Sequence, residues 1–339
     1  MRVKAQESMM MSATPTEERQ EFEALISGCG VYPIDRGYVV LRGSDRVRWL
    51  NGMITNNVRD LVPGHGVYAF LLNPQGKIQA DLYAFNRGDT LIVTADRSQV
   101  ETILQIFERY IIMDDVEMEN NTGKFDTLGI AGPKSAEILM ALDFQQQLAS
   151  LEFASWNFRG MGLTVVRCDN PCLPNFELWL DPAHASPIFQ VLLECGAVRV
   201  GNAMLETLRI ACGIPKFGRD IRERDLPQET AQDRALNFNK GCYIGQEIVE
   251  RVRSRGAVHR TLVGFRAASM LSPGARIQNE GKDVGEITSV AAVPAGPQGQ
   301  VLALGSIRKE FVNSGNVLTV GDLQITPVPL PFRFCNPSS

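Results

Sequence analysis

The chain has 339 residues, of which 44% are hydrophobic and 21% are charged. These values are close to the averages of globular proteins, so global disorder is excluded, and the length suits two or three domains. The 34 basic and 38 acidic residues give a net charge of −4 without a concentrated run of Lys and Arg, which argues against nucleic-acid binding.

The cysteine content and the N-terminal sequence indicate the compartment. The chain has seven cysteines, an odd number without paired spacings, and it is too long to need disulfide bonds for stability. No apolar run approaches the ~18 residues that a membrane span needs, and Met1–Gln20 lacks the apolar core of a signal peptide. We therefore expect a cytoplasmic protein without membrane association, in which residues 1–20 are disordered or frayed.

A β-hairpin is predicted early in the chain, because the turn sequence Asn73-Pro74-Gln75-Gly76 separates two strand-like runs, Val67–Leu72 and Lys77–Phe85. Alternation in the second run predicts two faces. One face carries Ile78, Ala80, Leu82 and Ala84, and the other carries Gln79, Asp81, Tyr83 and Phe85. This places Asp81 among aromatic residues.

Strand and helix patterns then follow in two similar runs, which predict two related α+β units. The first has a strand at Leu91–Ala95 and a helix that begins behind a Ser98-x-x-Glu101 capping box. The second has strands at Thr127–Ala131 and Phe176–Leu180, Pro133 in a first helical turn, and a helix near Pro187–Cys195.

The later sequence is less periodic. A helix is predicted from Asn202 to Cys212, and Lys216–Phe238, which has charges and few periodic apolar residues, is predicted to be a long surface connection. Beyond Gly256, short strand-like runs separated by Gly, Pro and Asn predict a small β-barrel, with Ala295–Gly299 as one of its loops. The barrel strands are Thr261–Phe265, Val284–Val290, Val301–Ile307, Val317–Val320 and Leu323–Thr326.

The segment Lys240–Glu247, Lys-Gly-Cys-Tyr-Ile-Gly-Gln-Glu, is the densest signal in the sequence. Its glycines, Gly241 and Gly245, allow the main chain to approach a neighbour closely. A helix is predicted to follow, with an ion pair between Glu247 and Arg251. The helix N-terminus and Lys240 would favour a thiolate at Cys242. The alternative is that Cys242 is a small buried apolar residue, as most free cysteines are.

This segment resembles the signature of the YgfZ family, which is related to the glycine-cleavage T-protein. The resemblance extends to flanking segments and covers roughly Phe22 to Val328. The matching segments are Thr55–Leu61, Gly76–Leu82, Leu208–Pro215, Leu226–Glu229, Gly285–Ser289 and Ala303–Gly305.

The resemblance implies a T-protein-like, folate-binding α+β fold of two interleaved α+β subdomains, followed by a C-terminal antiparallel β-barrel. The corresponding boundaries are residues 21–255 for the folate-binding domain, 256–330 for the barrel and 331–339 for a tail. The two units predicted from periodicity agree with this order of elements.

The resemblance also implies a function. YgfZ proteins are folate-dependent accessory proteins that support the assembly or repair of iron-sulfur enzymes, and their signature cysteine corresponds to Cys242. The remaining signature residues here are Lys240, Gly241, Tyr243, Gly245, Gln246 and Glu247. The expected cofactor is tetrahydrofolate or a derivative, with no permanently bound metal. The expected partners are iron-sulfur client or assembly proteins, and the chain is expected to be a monomer.

Asp81 matches the T-protein aspartate that lies near the folate nitrogen. Beside aromatic residues, its carboxyl group would be desolvated or partnered, and either state could assist proton transfer. The alternative is an exposed strand aspartate. The glutamate with which T-proteins contact the pterin is replaced by Ala211, so Glu206 or Glu229 would have to compensate, with Tyr83 as a further folate contact.

Two other functions remain open, and so does whether the protein is an enzyme. One is aminomethyltransferase-type one-carbon transfer to tetrahydrofolate, for which Asp81 would be decisive. The other is a folate-binding or protein-interaction module without catalytic activity. The spacing of Cys168 and Cys172 invites a metal-ligand reading, but further ligands are missing nearby, so a simple loop is the preferred interpretation.

Overall fold

A computed structural model describes residues 14–256, 258–294, 300–312, 315 and 317–332. Of the predicted frayed start, residues 1–13 lie outside this range, but Pro15–Gln20 belong to a helix with a complete capping box between Thr14 and Glu17. The prediction that residues 1–20 are disordered or frayed is therefore wrong for Pro15–Gln20. The predicted barrel loop Ala295–Gly299 also lies outside the described residues.

The described part contains α-helices and β-strands in mixed order. The helices are α1 Pro15–Ser27, α2 Arg46–Met53, α3 Val100–Tyr110, α4 Ser135–Ala141, α5 Pro182–Glu194, α6 Asn202–Ala211 and α7 Gln246–Arg255. The first strands are β1 Gly30–Ile34, β2 Arg36–Arg42, β3 Gly66–Leu72, β4 Ile78–Asn86, β5 Leu91–Asp96, β6 Glu117–Asn120, β7 Asp126–Ala131, β8 Phe153–Phe158, β9 Met161–Arg167, β10 Asn175–Leu180 and β11 Val198–Arg199. The later strands are β12 Arg260–Ala267, β13 Arg276–Asn279, β14 Lys282–Val293, β15 Gln300–Arg308, β16 Leu318–Val320 and β17 Leu323–Val328.

The first eleven strands form two interleaved sheets. One sheet has the order β11-β1-β7-β10-β9-β8, and the other has the order β3-β4-β5-β2-β6. The chain leaves the first sheet after β1, crosses at Asp35, builds the second sheet with β2 to β6, and returns with β7. This arrangement confirms the predicted pair of interleaved α+β subdomains.

The two sheets face each other through an aromatic layer, and helices pack on their outer faces. The ring centroids of Phe85 and Trp179 are 5.0 Å apart, and those of Tyr38 and Trp179 are 5.4 Å apart. Residues of α3 such as Phe107 pack against the second sheet, while residues of α5 such as Leu192 pack against the first. The functional cavity described below lies beside the aromatic layer.

The C-terminal strands close into an antiparallel barrel in the order β12-β15-β14-β13-β16-β17, which confirms the predicted barrel. The short strand β13 was not predicted, because its four residues include only one apolar side chain, Ile277. Packing extends into the predicted tail. Phe332 is buried and donates its backbone N–H to the carbonyl of Ala211 at 3.0 Å, while residues 333–339 lie outside the described part.

Three helix starts differ from the prediction. Ser98 is not the cap of α3, because Asp96 accepts a hydrogen bond from the Ser98 N–H and caps a short 3₁₀ turn that leads into the helix. Pro133 lies before α4 rather than in its first turn. α5 begins at Pro182, so Pro187 is inside the helix. In each case the local signal is correct in type but marks a position a few residues from the true boundary.

The segment Lys216–Phe238 is not a surface connection, and this prediction is wrong. It lacks apolar periodicity, yet six of its residues are buried: Asp220, Ile221, Pro227, Thr230, Gln232 and Ala235. Polar side chains can be buried where hydrogen bonds satisfy them. The Thr230 hydroxyl, for example, donates to the carbonyl of Pro227 at 2.7 Å. A pattern search for apolar spacing cannot detect burial of this kind.

The predicted hairpin is confirmed, and one bulge alters its faces. Ala80, Leu82 and Ala84 of β4 lie in the core beneath α3, as predicted. The pairing shifts between Leu71 and Leu72, so Ile78 packs instead with Tyr68 and Phe70, on the side that carries Asp81. A bulge inserts one extra residue and thereby exchanges the faces of the residues beyond it.

The hairpin turn also supports the signature segment. Gly76 has φ +72° and Gly245 has φ +83°, both in the left-handed region that favours glycine. A Cβ atom on Gly245 would lie 2.7 Å from the carbonyl oxygen of Asn73. The close approach predicted for Gly245 is therefore an approach to the hairpin turn. Gly241 has only an ordinary contact, 3.7 Å to Arg59.

Gly245→Ala should destabilise the protein because it adds both a backbone penalty and a steric clash. We expect the free energy of unfolding to fall by about 2 kcal/mol. The matched control is Gly241→Ala, which has room for a methyl group and should change the free energy of unfolding by less than about 0.5 kcal/mol. Chemical denaturation measures both, and equal losses in the two variants would contradict the role of the turn contact.

Candidate functional site

A cavity of about 680 Å³ lies where the chain crosses between the two sheets. Its wall is formed by the β1–β2 crossing at Tyr32–Arg36, by β4 and β10, by α6, and by parts of the segment that follows α6. This volume falls within the range of small-molecule sites. The cavity contains three of the residues that the sequence predicted as folate contacts: Asp81, Tyr83 and Glu206.

Asp81 is held in a defined orientation at the cavity wall. Its two carboxylate oxygens accept hydrogen bonds, one from the Tyr68 hydroxyl and one from the Gln99 side-chain amide, each at 2.8 Å. The Asp81 backbone N–H donates to the side-chain oxygen Oε1 of Gln99 at 3.0 Å. Burial raises the pKa of Asp81, although the hydrogen bonds from Gln99 and Tyr68 oppose this shift. The alternative of an exposed strand aspartate is therefore wrong.

An aromatic and charged cluster surrounds Asp81. The rings of Tyr68 and Tyr83 have centroids 4.9 Å apart, and the Arg234 guanidinium lies 4.4 Å from the centroid of the Tyr68 ring. The Tyr83 hydroxyl donates to Asp169 at 3.0 Å, and Asp169 also forms an ion pair with Arg234. The cluster thus connects β4 to the segment before the signature, and it fixes Tyr83 by its hydroxyl group.

A second ion pair at the cavity joins Arg36, the first residue of β2, to the buried Glu177 of β10. The Arg36 Nε atom donates to Glu177 Oε1 at 3.1 Å, and Trp179 Nε1 donates to Glu177 Oε2 at 2.9 Å. Arg36 also lies over the Tyr83 ring, 5.7 Å from its centroid. The sequence analysis missed this pair. A single acid in the apolar run Phe176–Leu180 was the available signal, because an unpaired carboxylate is rarely buried.

Glu206 lines the cavity and is locked in a network with arginines. Its carboxylate accepts from Arg209 at 2.7 and 2.8 Å and from Arg219 at 2.6 Å. Ala211, which replaces the T-protein glutamate, is fully buried in an apolar cluster and is not part of the cavity wall. Glu206, five residues earlier on α6, is therefore the acid that this helix presents to the cavity.

Glu229 does not line the cavity. Its carboxylate accepts from the Leu226 N–H at 2.8 Å and caps a short 3₁₀ turn. Glu229 therefore has a local structural role and is not in a position to contact a ligand in the cavity.

Asn175 is a cavity residue that the sequence analysis did not single out. Its side-chain oxygen Oδ1 is buried and has no hydrogen-bond partner among the described residues. A buried acceptor without a partner costs free energy unless a ligand or water satisfies it. Asn175 therefore offers a ligand a hydrogen-bond acceptor.

Lys240 of the signature is a structural residue. It is buried, and its ammonium group donates to the backbone carbonyls of Asn51, Ile54 and Asn56, each at 2.6 Å. These carbonyls lie at and beyond the C-terminal end of α2, so Lys240 fastens the signature to this helix end. Burial, with a smaller contribution from Arg59, lowers the pKa of Lys240 to about 7.

Cys242 lies on the surface, and its thiol is exposed. The alternative of a buried apolar cysteine is therefore wrong. Cys242 is also not among the residues that line the cavity. The structure thus separates the two predicted catalytic residues, placing Asp81 at the cavity and Cys242 on the outer surface of the signature segment.

The remaining signature residues lie at the N-terminal end of α7. Tyr243 is buried against Phe70 and Val249, and its ring lies 5.1 Å from the Lys240 ammonium. Gln246 and Glu247 are in the first turn of α7. The predicted ion pair between Glu247 and Arg251 is not formed in the described part of the chain, where Glu250 pairs with Arg253 instead, at 3.6 Å.

The residues that the structure describes contain neither a metal-binding cluster nor a membrane-spanning helix. No group of three His, Cys, Asp or Glu side chains in this part of the chain could hold a metal ion. Within the same residues, no helix is both long and apolar enough to cross a membrane.

The two interleaved sheets, the closed barrel and the cavity with its held carboxylate define an aminomethyltransferase-type fold. The crystal structure of glycine cleavage system aminomethyltransferase T from Bartonella henselae matches 93% of this chain and 89% of its own, with a TM-score of 0.83 at 20% sequence identity. The family model "GCVT N-terminal domain" matches residues 12–240, which is more than half of the sequence. The chain belongs to this family.

Sequence relatives have transferase names. The "Putative transferase At1g60990, chloroplastic" of Arabidopsis thaliana is 27% identical over 84% of this chain, and the match spans 66% of that protein's length. The "Aminomethyltransferase" of Rubrobacter xylanophilus is 28% identical over 93% of this chain and 86% of its own. The T-protein relationship predicted from the sequence is confirmed at the level of family and fold, and membership of the YgfZ branch stays a prediction.

The raised pKa of Asp81 predicts a pH effect on stability. Between the unfolded pKa of about 3.9 and the higher folded pKa, the folded state binds more protons, so this group's contribution to stability falls as pH rises. Asp81→Asn removes that contribution. We expect the free energy of unfolding of the wild type to decline relative to Asp81→Asn as pH rises from about 4. Denaturation at several pH values measures this difference, with Asp89→Asn on an exposed turn as the control. Parallel profiles for wild type and Asp81→Asn would contradict the raised pKa.

Proposed function

We propose that the protein binds tetrahydrofolate or a derivative in the cavity and acts, as a member of the YgfZ branch, in the assembly or repair of iron-sulfur enzymes through Cys242. The observation that carries the folate proposal is the Asp81 carboxylate, held by Tyr68 and Gln99 at the wall of a 680 Å³ cavity in a protein of this family. The exposed signature thiol carries the second half of the proposal.

The cavity residues fit the chemistry of a pterin ring. A pterin has N–H donors along its edge, and Asp81, Glu206 and the unpartnered Asn175 Oδ1 offer acceptors on three different elements. Tyr68 and Tyr83 provide aromatic surface beside Asp81. Because hydrogen bonds fix Asp81 and Glu206 before a ligand arrives, these two side chains would lose little conformational entropy on binding.

Asp81 is the residue we assign to proton transfer. Its raised pKa brings the protonated and ionised forms closer in free energy near neutral pH, which suits a group that gives or takes a proton at a folate nitrogen. The nearby cations Arg36 and Arg234 are both engaged by carboxylates, Glu177 and Asp169. Arg36 and Arg234 pair with these carboxylates, and the charge of Arg36 opposes the rise in the Asp81 pKa less than the Gln99 and Tyr68 hydrogen bonds do.

The segment from Arg234 to Gly245 connects the cavity to Cys242. At one end, Arg234 packs on the Tyr68 ring that donates to Asp81. Between them, the Thr55 hydroxyl donates to the carbonyl of Ala235 at 2.6 Å, and Lys240 is fixed to the end of α2. A ligand that changes the position of Arg234 would therefore act on the same short segment that presents the Cys242 thiol. This connection supports folate-dependent activity at a thiol outside the cavity.

Aminomethyltransferase-type transfer is the second candidate, because several relatives carry that name over most of this chain's length. Asp81 would then support transfer of a one-carbon unit to tetrahydrofolate, and Cys242 would be dispensable. A folate-binding module without chemistry is the third candidate and requires the cavity alone. A cytoplasmic location, a monomeric state and iron-sulfur client proteins remain predictions from the sequence.

Calorimetric titration with tetrahydrofolate under anaerobic, reducing conditions tests the cavity. We expect saturable binding by the wild type and a dissociation constant at least about tenfold higher for Asp81→Ala, because the variant loses a charge-assisted hydrogen bond. Asp89→Ala, on an exposed turn, is the matched control and should bind like the wild type. Failure of the wild type to bind would remove the folate proposal.

Cys242→Ala separates the candidate functions. We expect this variant to bind tetrahydrofolate like the wild type and to keep its melting temperature, because the thiol is exposed and outside the cavity. It should nevertheless lose the support of iron-sulfur enzyme activity in cells that lack the native protein, whereas Cys195→Ala, another exposed cysteine, should retain it. Full activity of Cys242→Ala, together with aminomethyl transfer that needs Asp81, would favour the transferase instead.

A further inference from the structure

Two cysteines meet directly behind the cavity wall. Cys212 follows the last residue of α6 and is 2% exposed. Cys172 lies in the loop between β9 and β10 and is partly exposed. The Cys172 sulfur is 4.0 Å from the carbonyl oxygen of Ala211, the residue next to Cys212, and both cysteines belong to the same apolar cluster. The fold thus brings together two thiols that are forty positions apart in the sequence.

The two thiols differ in how readily they lose a proton. Contact with the Cys212 thiol lowers the pKa of Cys172. The same contact, together with burial, raises the pKa of Cys212. The partly exposed member of the pair is therefore the better nucleophile for a reagent from solution, and the buried member lies within reach behind it.

We propose that Cys172 and Cys212 form a redox-reversible dithiol site, which a small disulfide such as glutathione disulfide oxidises to an intramolecular disulfide. This site is separate from the Cys242 thiol, which lies on the signature segment. Cys168 faces the cavity, whereas the partner of Cys172 is Cys212, which directly follows α6.

The oxidation proceeds in two exchange steps. The Cys172 thiolate attacks one sulfur of glutathione disulfide, which forms a mixed disulfide on Cys172 and releases one glutathione thiolate. The Cys212 thiol then attacks the Cys172 sulfur and gives its proton to the departing glutathione sulfur, which forms the Cys172–Cys212 bond and releases the second glutathione as a thiol. The two protein thiols lose two electrons in total, and glutathione disulfide gains them. A dithiol reductant reverses the reaction.

The disulfide would act on the cavity wall. A non-bonded contact would be replaced by a sulfur–sulfur bond of about 2.05 Å, so the loop must move toward α6. Asn170 in this loop accepts hydrogen bonds from the N–H groups of Cys172 and Leu173, at 2.8 and 3.3 Å. Its neighbour Asp169 holds Tyr83 and Arg234. Oxidation would therefore shift the groups that orient Tyr83. This consequence, unlike the disulfide itself, rests on the proposed folate function.

Peptide mapping of the whole protein tests the disulfide. After incubation with glutathione disulfide, alkylation and trypsin digestion, we expect the peptide of residues 168–199 to be joined to the peptide of residues 210–216. Dithiothreitol should separate them. Cys172→Ser and Cys212→Ser should each abolish the joined species. Cys195→Ser is the matched control, because Cys195 is an exposed cysteine on the same peptide, and it should leave the joined species intact. A stable glutathione adduct on Cys172 with Cys212 free would overturn the proposal.

Titration with tetrahydrofolate tests the consequence. The oxidised wild type should bind at least about tenfold more weakly than the reduced wild type, whereas Cys212→Ser treated in the same way should show no such change. Equal affinity of a fully disulfide-bonded protein would overturn the effect on the cavity. A reduced wild type that does not bind tetrahydrofolate would contradict the proposed function, and the peptide map would then decide the dithiol site by itself.

Discussion

The buried carboxylate of Asp220 joins α6, the segment that follows α6 and the C-terminal barrel. Its side chain is fully enclosed, and it accepts hydrogen bonds from Arg209 of α6 at 2.7 Å, from the backbone N–H of Lys216 at 2.9 Å and from Ser289 of the barrel at 2.8 Å. Thr288, the extra residue of a bulge in β14, adds its hydroxyl. An enclosed carboxylate is tolerated only when its lone pairs are satisfied, so α6, the following segment and the barrel must keep one relative position.

The hydrogen bonds of Asp220 also fix one wall of the cavity. Arg209, fixed by Asp220, in turn fixes Glu206 at the cavity wall. On the opposite wall, two further ion pairs, between Arg36 and Glu177 and between Arg234 and Asp169, hold the residues that surround Asp81. Ion pairs that are partly or fully removed from water contribute little net stability compared with apolar packing, and they serve mainly to fix geometry. A rigid, polar cavity between two sheets is the result, which suits recognition of a small heterocycle.

The signature segment is held in place by contacts with other parts of the fold, yet its Cys242 thiol is exposed. Lys240 and Gly245 hold it against α2 and against the hairpin turn, and Tyr243 buries its ring beneath it. These contacts give three of the eight motif residues a structural role. Cys242 is exposed, so its thiol is displayed on a well-supported segment outside the cavity.

The sequence alone determined the features that local residue patterns or the family resemblance indicate. Turn residues, alternation and the resemblance predicted the Asn73–Gly76 turn, five of the six barrel strands and the T-protein fold. They also placed Asp81 among aromatic residues. Tertiary structure decided what depends on distant partners. Gln99 and Tyr68 hold Asp81, Glu177 pairs with Arg36 over 141 positions, and Cys172 meets Cys212. The burial of Lys216–Phe238 also escaped the sequence pattern, because hydrogen bonds rather than apolar spacing make it possible. These partners lie on different elements, so they meet only when the chain folds back on itself. Arg36 and Glu177 in particular cannot meet until the chain has built the second sheet and returned to the first.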